Sequence, residues 1–166
     1  RCMSNQDNPI TMPITPPNGM ANDIEARLRA KARAIHDELV QMLIEEATEI
    51  VGSIKTPVSS GGYRSYHDQT GNLTSSVGFA VVENGNIIYE YGFEQESATA
   101  TVGSEEGKAY VRQLASIDTS GLYVVVCAGM NYAKWVEIRG LGGMTAGEQG
   151  LRERVRTRLQ QLIDNI

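Results

Sequence analysis

With 166 residues, of which 41% are hydrophobic and 21% charged, the chain has the size and composition of one ordinary globular domain. Its formal net charge of −5 argues against a protein that coats nucleic acid nonspecifically, because such a protein needs a basic surface to displace counterions from phosphates. The negative net charge does not argue against a protein that surrounds DNA without binding it tightly.

Cysteine usage and apolar run lengths exclude further classes. Cys2 and Cys127 are too few and too far apart for a disulfide framework or a zinc site. Cys127, inside an apolar run, is predicted to be a buried and inert thiol. The sequence contains no apolar run near the roughly 18 residues that span a bilayer, so no membrane partner is predicted. We also expect no signal peptide, because the first twenty residues are polar and rich in proline.

The chain is predicted to consist of an N-terminal arm over residues 1–20 and a single domain over residues 21–166. The arm contains Pro9, Pro13, Pro16 and Pro17, and proline at this density prevents helix formation and weakens strand pairing. It is interpreted as an extended segment, which is either a disordered tail or an arm that lies across a neighbouring subunit.

A long amphipathic helix is predicted from about Asp23 to Ile54, with Asn22 as its N-cap and Pro57 preventing continuation. Its apolar residues recur at steps of three and four and therefore share one stripe. The stripe consists of Ile24, Leu28, Ile35, Leu39, Met42, Leu43, Ile50 and Ile54.

The charges of this helix are segregated in the direction that the helix dipole disfavours. Arg27, Arg29, Lys31 and Arg33 lie near its start, whereas Glu45, Glu46 and Glu49 lie near its end. The plain interpretation is a solvated face. The sharper one is that each charged end meets the opposite end of a neighbouring subunit, so these seven residues are candidate interface residues.

A hairpin follows a loop over residues 58–72. Asn84-Gly85 is the favoured two-residue turn, because both of its positions need positive φ. Apolar residues alternate on each side of the turn, which predicts one shared face. The alternating residues are Leu73, Ser75, Val77, Phe79 and Val81 before it, and Ile87, Tyr89, Tyr91 and Phe93 after it.

Four further elements complete the prediction. Ser104 is expected to cap a helix over residues 105–117, and the apolar run 122–128 is interpreted as a central strand covered on both faces. Asn131 is expected to cap a short helix that ends at Gly140, and Thr145 with Glu148 to open a C-terminal helix. The order predicts an α+β fold with a long N-terminal helix, a small mainly antiparallel sheet with a hairpin, short helices and a C-terminal amphipathic helix.

The chemistry-bearing residues do not form a recognisable catalytic set. The two histidines are His36 and His67, and the His67-Asp68 pair lacks convergent partners because adjacent side chains usually diverge. The glycine-rich segment 140–147 lacks both the dinucleotide fingerprint and the P-loop lysine, so it is interpreted as a flexible connector. We therefore predict no catalytic residue, no metal ligand, no cofactor and no enzymatic activity.

Two segments are distinctive together: TGNLTSSV over residues 70–77 and AGMNYAKWVEIRG over residues 128–140. As a pair they resemble the tail-completion or minor tail components of long-tailed bacteriophages. Proteins of that family pair a Thr-Gly-x-Leu-x-x-Ser element with a later Tyr-Ala-x-aromatic-Val-Glu-x-Gly element. The motif residues here are Thr70, Gly71, Leu73, Ser76, Tyr132, Ala133, Val136 and Gly140, the last of which falls one residue later than in the tightest versions.

The resemblance implies a structural virion protein at the phage head–tail junction, present in the host cytoplasm during assembly. It would form a ring of its own copies, a hexamer or a dodecamer, between the portal or adaptor and the tail tube, with DNA passing through without sequence-specific binding. Tyr132, Trp135 and Val136 are expected to hold their helix on the sheet, Trp135 being either core or interface. Glu137 and Arg139 are expected to be available for contacts.

Two other functions remain open from the sequence. One is a soluble, non-enzymatic module that binds another protein. The other, less favoured, is a small hydrolase that uses the His67-Asp68 loop.

Overall fold

The computed structural model describes residues 18–165 and confirms the α+β fold. The helices are α1 (Asn18–Lys55), α2 (Asn72–Ser75), α3 (Gly103–Ala115), α4 (Ala133–Ile138) and α5 (Met144–Asp164), with a 3-10 turn at Val58–Ser60. The strands are β1 (Val77–Glu83), β2 (Asn86–Tyr91) and β3 (Leu122–Ala128). Most of the arm predicted over residues 1–20 lies outside the described residues, and its last three residues belong to α1.

The chain divides into two units, residues 1–37 and 38–166, with the boundary inside α1. The sequence pattern indicated one domain from residue 21, because the apolar stripe of α1 runs across this boundary without interruption. In the described part of the first unit, every residue from 19 to 34 is exposed. The second unit contains the sheet and all of the buried core.

The sheet has the order β2-β1-β3, and both pairings are antiparallel. The prediction that residues 122–128 form the central strand is wrong, because β1 is central and β3 lies at an edge. An edge strand nevertheless has an unbroken apolar run here because both of its faces are covered. Leu122, Val124 and Val126 pack on one side, and Tyr123, Val125 and Cys127 on the other.

Two apolar clusters cover the two faces of the sheet. In the first, Ala47, Ile50, Val51 and Ile54 of α1 pack against Val77, Phe79 and Val81. In the second, Val111 and Ala115 of α3 pack against Ala80, Val82, Phe93 and Cys127. Successive residues of a strand point to opposite faces, so β1 supplies both clusters and all its residues except Glu83 are buried.

The two-residue turn at Asn84-Gly85 is confirmed, with φ of 49° and 78° at the two positions. The alternation predicted beyond the turn holds for Tyr89 and Tyr91 but not for Ile87 and Phe93. Val81 pairs with Tyr89 but Val82 pairs with Ile87, so Ile88 is an extra residue that forms a β-bulge. Because of the bulge, these side chains lie on opposite faces of the sheet. Tyr89 and Tyr91 lie beside Phe79, whereas Ile87 packs in the second cluster, which α3 covers. Phe93 follows β2 and also packs in that cluster.

The segment before β1 is helical, so the prediction that Leu73 and Ser75 begin the strand is wrong. The Asp68 carboxylate accepts hydrogen bonds from the backbone N–H groups of Gly71 (3.0 Å) and Thr74 (2.7 Å). These bonds satisfy two of the donors that the start of a helix leaves free, which explains why the chain turns into α2 here.

Four helix starts differ from the sequence predictions. Asn22 lies inside α1 and Ser104 inside α3, where the Ser104 hydroxyl donates to the carbonyl of Phe93. The N-cap position of α4 is Tyr132, not Asn131, and that of α5 is Gly143, not Thr145.

The start of α3 is capped by a residue that is distant in sequence. Asn72 Oδ1 accepts hydrogen bonds from the backbone N–H of Val102 (3.1 Å) and of Gly103 (3.0 Å). These bonds satisfy backbone donors at the start of α3 and connect that helix to α2.

Cys127 is 3% exposed, and burial raises the pKa of its thiol to about 12, with Glu90 adding to the shift. The thiolate is the reactive form, so we expect native Cys127 to react with iodoacetamide at pH 8 about three orders of magnitude more slowly than an ordinary cysteine. A Cys2→Ser variant makes Cys127 the sole thiol. Equal alkylation rates for native and urea-unfolded protein, followed by mass spectrometry, would contradict this burial.

Candidate assembly surface

The two sequence motifs meet in space at Ser76. The Ser76 side chain is fully buried, its hydroxyl donates to the carbonyl of Leu73 (2.8 Å), and its Oγ accepts the N–H of Met130 (3.4 Å). The Ser76 carbonyl accepts the N–H of Gly129 at 3.1 Å. The hairpin prediction, which began the strand at Leu73, would place this serine on the strand; it instead caps the C-terminus of α2 and anchors the chain that follows β3.

The remaining motif residues extend this junction. Gly71 has φ of 78°, a left-handed conformation that favours glycine, and Leu73 is 4% exposed. Burial and the charge of Asp68 raise the pKa of Tyr132, and the Thr70 side chain opposes that shift. An apolar recess contains Leu73 of the first motif and Ala133 and Val136 of the second. The motif residues therefore connect α2 to α4.

Glu137 acts inside the chain as the cap of α5. Its Oε1 accepts the N–H of Thr145 (2.8 Å) and its Oε2 the N–H of Met144 (3.2 Å). Burial raises the Glu137 pKa, but hydrogen bonds from Thr145, Met144 and Gly143 outweigh that effect, so the pKa lies below its ordinary value. The carboxylate that the sequence suggested for intersubunit contacts is therefore engaged with its own chain.

Replacing Glu137 by alanine is expected to lower the free energy of unfolding by about 1 kcal/mol at neutral pH, the usual cost of losing a helix cap. Because the folded pKa is depressed, this stabilisation is present above the ordinary glutamate pKa and is lost as pH falls through the folded value. Urea titrations at pH 7 and pH 3 measure it. A Glu137→Ala deficit as large at pH 3 as at pH 7 would rule out a cap that depends on the ionised carboxylate.

The glycine-rich segment is closely packed, contrary to its interpretation as a flexible connector. A Cβ at Gly142 would lie 1.9 Å from Oε2 of Glu137, and a Cβ at Gly147 would lie 2.5 Å from Cδ1 of Ile54. Gly140, with φ of 69°, ends α4 as predicted, and its N–H bonds the carbonyl of Glu137. These glycines let the α4–α5 turn approach its neighbours.

The outward face of α4 is apolar and exposed. Tyr132, Trp135 and Ile138 follow one another at steps of three, which places them on one face, and they are 37%, 65% and 64% exposed. We call these three residues the α4 patch. Trp135 therefore does not hold α4 on the sheet, as one interpretation of the sequence had it, and Arg139 beside the patch is also exposed.

The acidic end of α1 is paired within the chain. Arg158 contacts Glu45 at 2.8 Å and Glu46 at 3.1 Å, and Arg154 contacts Glu46 at 3.4 Å and also binds Glu49. Hydrogen bonds from Arg158 and Gln41 lower the pKa of Glu45. These glutamates therefore already have basic partners within the chain, on α5.

The basic start of α1 carries an apolar stripe in open solvent. Met20, Ile24 and Leu28 are 57%, 50% and 64% exposed, and Arg27 and Lys31 lie on the same face as Ile24 and Leu28. Arg29 and Arg33 lie on the opposite face by helical geometry, and Arg29 pairs with Glu25 at 2.6 Å. We call Met20, Ile24 and Leu28 the α1 stripe.

The His67 loop does not assemble a catalytic pair in the described structure. Both oxygens of Asp68 accept backbone N–H groups, and His67 is exposed at a surface cleft with Tyr66 and Arg64. Between residues 18 and 165, no group of three His, Cys, Asp or Glu side chains is placed to hold a metal ion.

Within the same described range, every helix is too short or too polar to cross a bilayer. Comparisons with protein-family models, with curated proteins and with solved structures found no match.

Proposed function

We propose that the chain is a structural subunit of the neck of a tailed bacteriophage, which forms a ring between the portal or adaptor and the tail tube. The observation that carries this proposal is the α4 patch. The helix that bears the second motif presents Trp135 and Ile138 to solvent, although each is a large apolar side chain. Tryptophan at the centre of an interface commonly contributes about 2 kcal/mol or more to association, so this face is suited to bind another protein.

Ring closure requires two different patches on one subunit, because each copy must bind the next through unlike surfaces. The chain offers two such patches in separate parts of its sequence, the α4 patch and the α1 stripe. The junction between the two motifs supports the proposal further. Leu73 and Ser76 of the first motif hold it to the segment that carries Ala133 and Val136 of the second.

The charge balance suits a ring through which DNA passes. Residues 38–166 carry 10 lysines and arginines against 16 aspartates and glutamates. An acidic surface repels phosphates, so DNA would cross such a ring without being captured.

Trp135 gives a direct test of self-association, because it is the sole tryptophan of the chain. On raising the protein concentration, we expect its fluorescence emission to shift to shorter wavelength as the indole leaves water. Trp135→Ala should reduce the sedimentation coefficient to that of a monomer, whereas Tyr110→Ala, which removes an aromatic side chain of 40% exposure, should not. An emission maximum independent of concentration would favour the alternative of a monomeric binding module.

The location in the virion is tested separately. Antibodies against the chain should label the head–tail junction of purified virions by electron microscopy, and peptides of the chain should be found in those virions by mass spectrometry. Virions that contain no such peptides would overturn the proposed function whatever the oligomeric state.

A further inference from the structure

The first part of α1 lacks the packing contacts that stabilise most helices in proteins. All residues from 19 to 34 are exposed, including the three members of the α1 stripe. Most helix stability in proteins comes from burial of the apolar face, and this segment leaves its apolar face exposed. A surface that covered Ile24 and Leu28 would supply that burial.

The charges of the segment restrict what that surface can be. From residue 19 to 34 the four basic residues Arg27, Arg29, Lys31 and Arg33 outnumber the two acidic ones, Asp23 and Glu25, and Glu25 already pairs with Arg29. This net positive charge disfavours the pairing of two α1 starts and favours an acidic surface.

The chain's own second unit is such an acidic surface. It has an excess of six acidic residues, with 16 Asp and Glu against 10 Lys and Arg over residues 38–166. Glu94, Glu105 and Glu106 are exposed, and the ion pairs described over residues 18–165 do not include them. Beside them, Val102 exposes an apolar side chain at 45%. The same acidity opposes anionic membranes and nucleic acid as alternative partners.

We infer that the α1 stripe docks on the second unit, residues 38–166, of a second copy of this chain, with Arg27 and Lys31 facing acidic side chains of that copy. The inference rests on the proposed ring, whose two patches are the α1 stripe and the α4 patch, and it names the unit that receives the stripe. Each copy would offer its α1 start to one neighbour and its second unit, which bears both the acidic side chains and the α4 patch, to the other. The join is then between unlike surfaces, as ring closure requires.

Paired variants of the full chain test this inference by sedimentation velocity. Ile24→Asp/Leu28→Asp alters the stripe, and Asn22→Asp/Ala26→Asp adds two acidic residues to the opposite face of the same helix. Arg27→Glu/Lys31→Glu and Arg29→Glu/Arg33→Glu form a second pair with equal changes in charge. We expect the stripe-face member of each pair to raise the dissociation constant about 100-fold or more, and its control to have little effect. Higher salt should weaken wild-type association, because it screens exposed charges.

Cross-linking identifies the partner surface. A photoreactive residue placed at position 28 in a mixture of light and isotope-labelled chains should give mixed-isotope cross-links to residues 38–166. Cross-links confined to a single chain, or between two α1 starts, would overturn the inference, as would a monomeric wild-type protein or preferential binding of the segment to anionic vesicles.

Different results would overturn the docking of the α1 stripe and the neck function. Stripe-face variants that assemble as well as wild type would overturn this inference and leave the neck function standing. Absence of the chain from virions would overturn the function, even if the α1 stripe joined copies in solution.

Discussion

Phe79→Ala is expected to lower the free energy of unfolding by about 3–5 kcal/mol, the range observed when a large buried aromatic side chain is removed. Phe79 is 0% exposed and lies on β1, the central strand, within the cluster that α1 covers. Its ring centroid lies 5.9 Å from that of Tyr89 and 6.0 Å from that of Tyr91. The substitution removes both ring contacts and leaves a cavity among the packed residues of α1 and the sheet.

Ile117→Ala is the control for this substitution, because it removes a large apolar side chain that is 75% exposed. We expect it to change the free energy of unfolding by no more than about 0.5 kcal/mol. Chemical denaturation followed by circular dichroism measures both. A loss below about 1 kcal/mol for Phe79→Ala would mean that Phe79 is not at the centre of the core.

Arg154→Ala/Arg158→Ala is expected to lower the free energy of unfolding by about 1–3 kcal/mol, the cost of leaving a buried acceptor without its partners. The Glu46 side chain is 11% exposed and contacts both arginines, whose side chains are 45% and 42% exposed. Removing both arginines leaves the Glu46 carboxylate poorly hydrated and unpaired. The half-exposed arginines themselves contribute less, because water screens their charges.

The control is Arg152→Ala/Arg156→Ala, which removes the same charge from the same helix. Arg152 pairs with Glu148 on the surface, so its loss should cost only a few tenths of a kcal/mol. Adding Glu46→Gln to the Arg154→Ala/Arg158→Ala variant should restore part of the lost stability, because it neutralises the buried group. Equal losses for the two arginine pairs would contradict a specific role for Glu46.

Local signals in the sequence were sufficient for much of the fold. The Asn84-Gly85 turn, the long helix that ends before Pro57 and the C-terminal helix depend on backbone preferences and periodicity, which act within a few residues. The β-bulge at Ile88 leaves no such signal, because an extra residue in a strand changes the face of every later side chain without changing composition.

The caps were missed for a related reason. The sequence pointed to neighbouring side chains such as Ser104 and Thr145, whereas the structure uses Asn72 for α3 and Glu137 for α5. Any acceptor that tertiary packing brings to a helix start can cap it, so spacing alone does not identify which one does.

The candidate surface was predicted in part. The two motif segments, chosen by resemblance, do lie together, and Trp135 is exposed as its interpretation as an interface residue requires. The pairing of Glu45, Glu46 and Glu49 could not be foreseen, because it depends on α5 lying beside α1. Periodicity fixes which residues share a face of one helix, but not which helix that face meets.

Native mass spectrometry of the full chain, over a range of concentrations, tests most directly whether the α1 stripe and the α4 patch serve to join copies of the protein. We expect a closed oligomer of one defined stoichiometry, a hexamer or a dodecamer, that dissociates when Ile24 and Leu28 are replaced by aspartate. A single species at the mass of one chain, unchanged as the concentration rises, would contradict it.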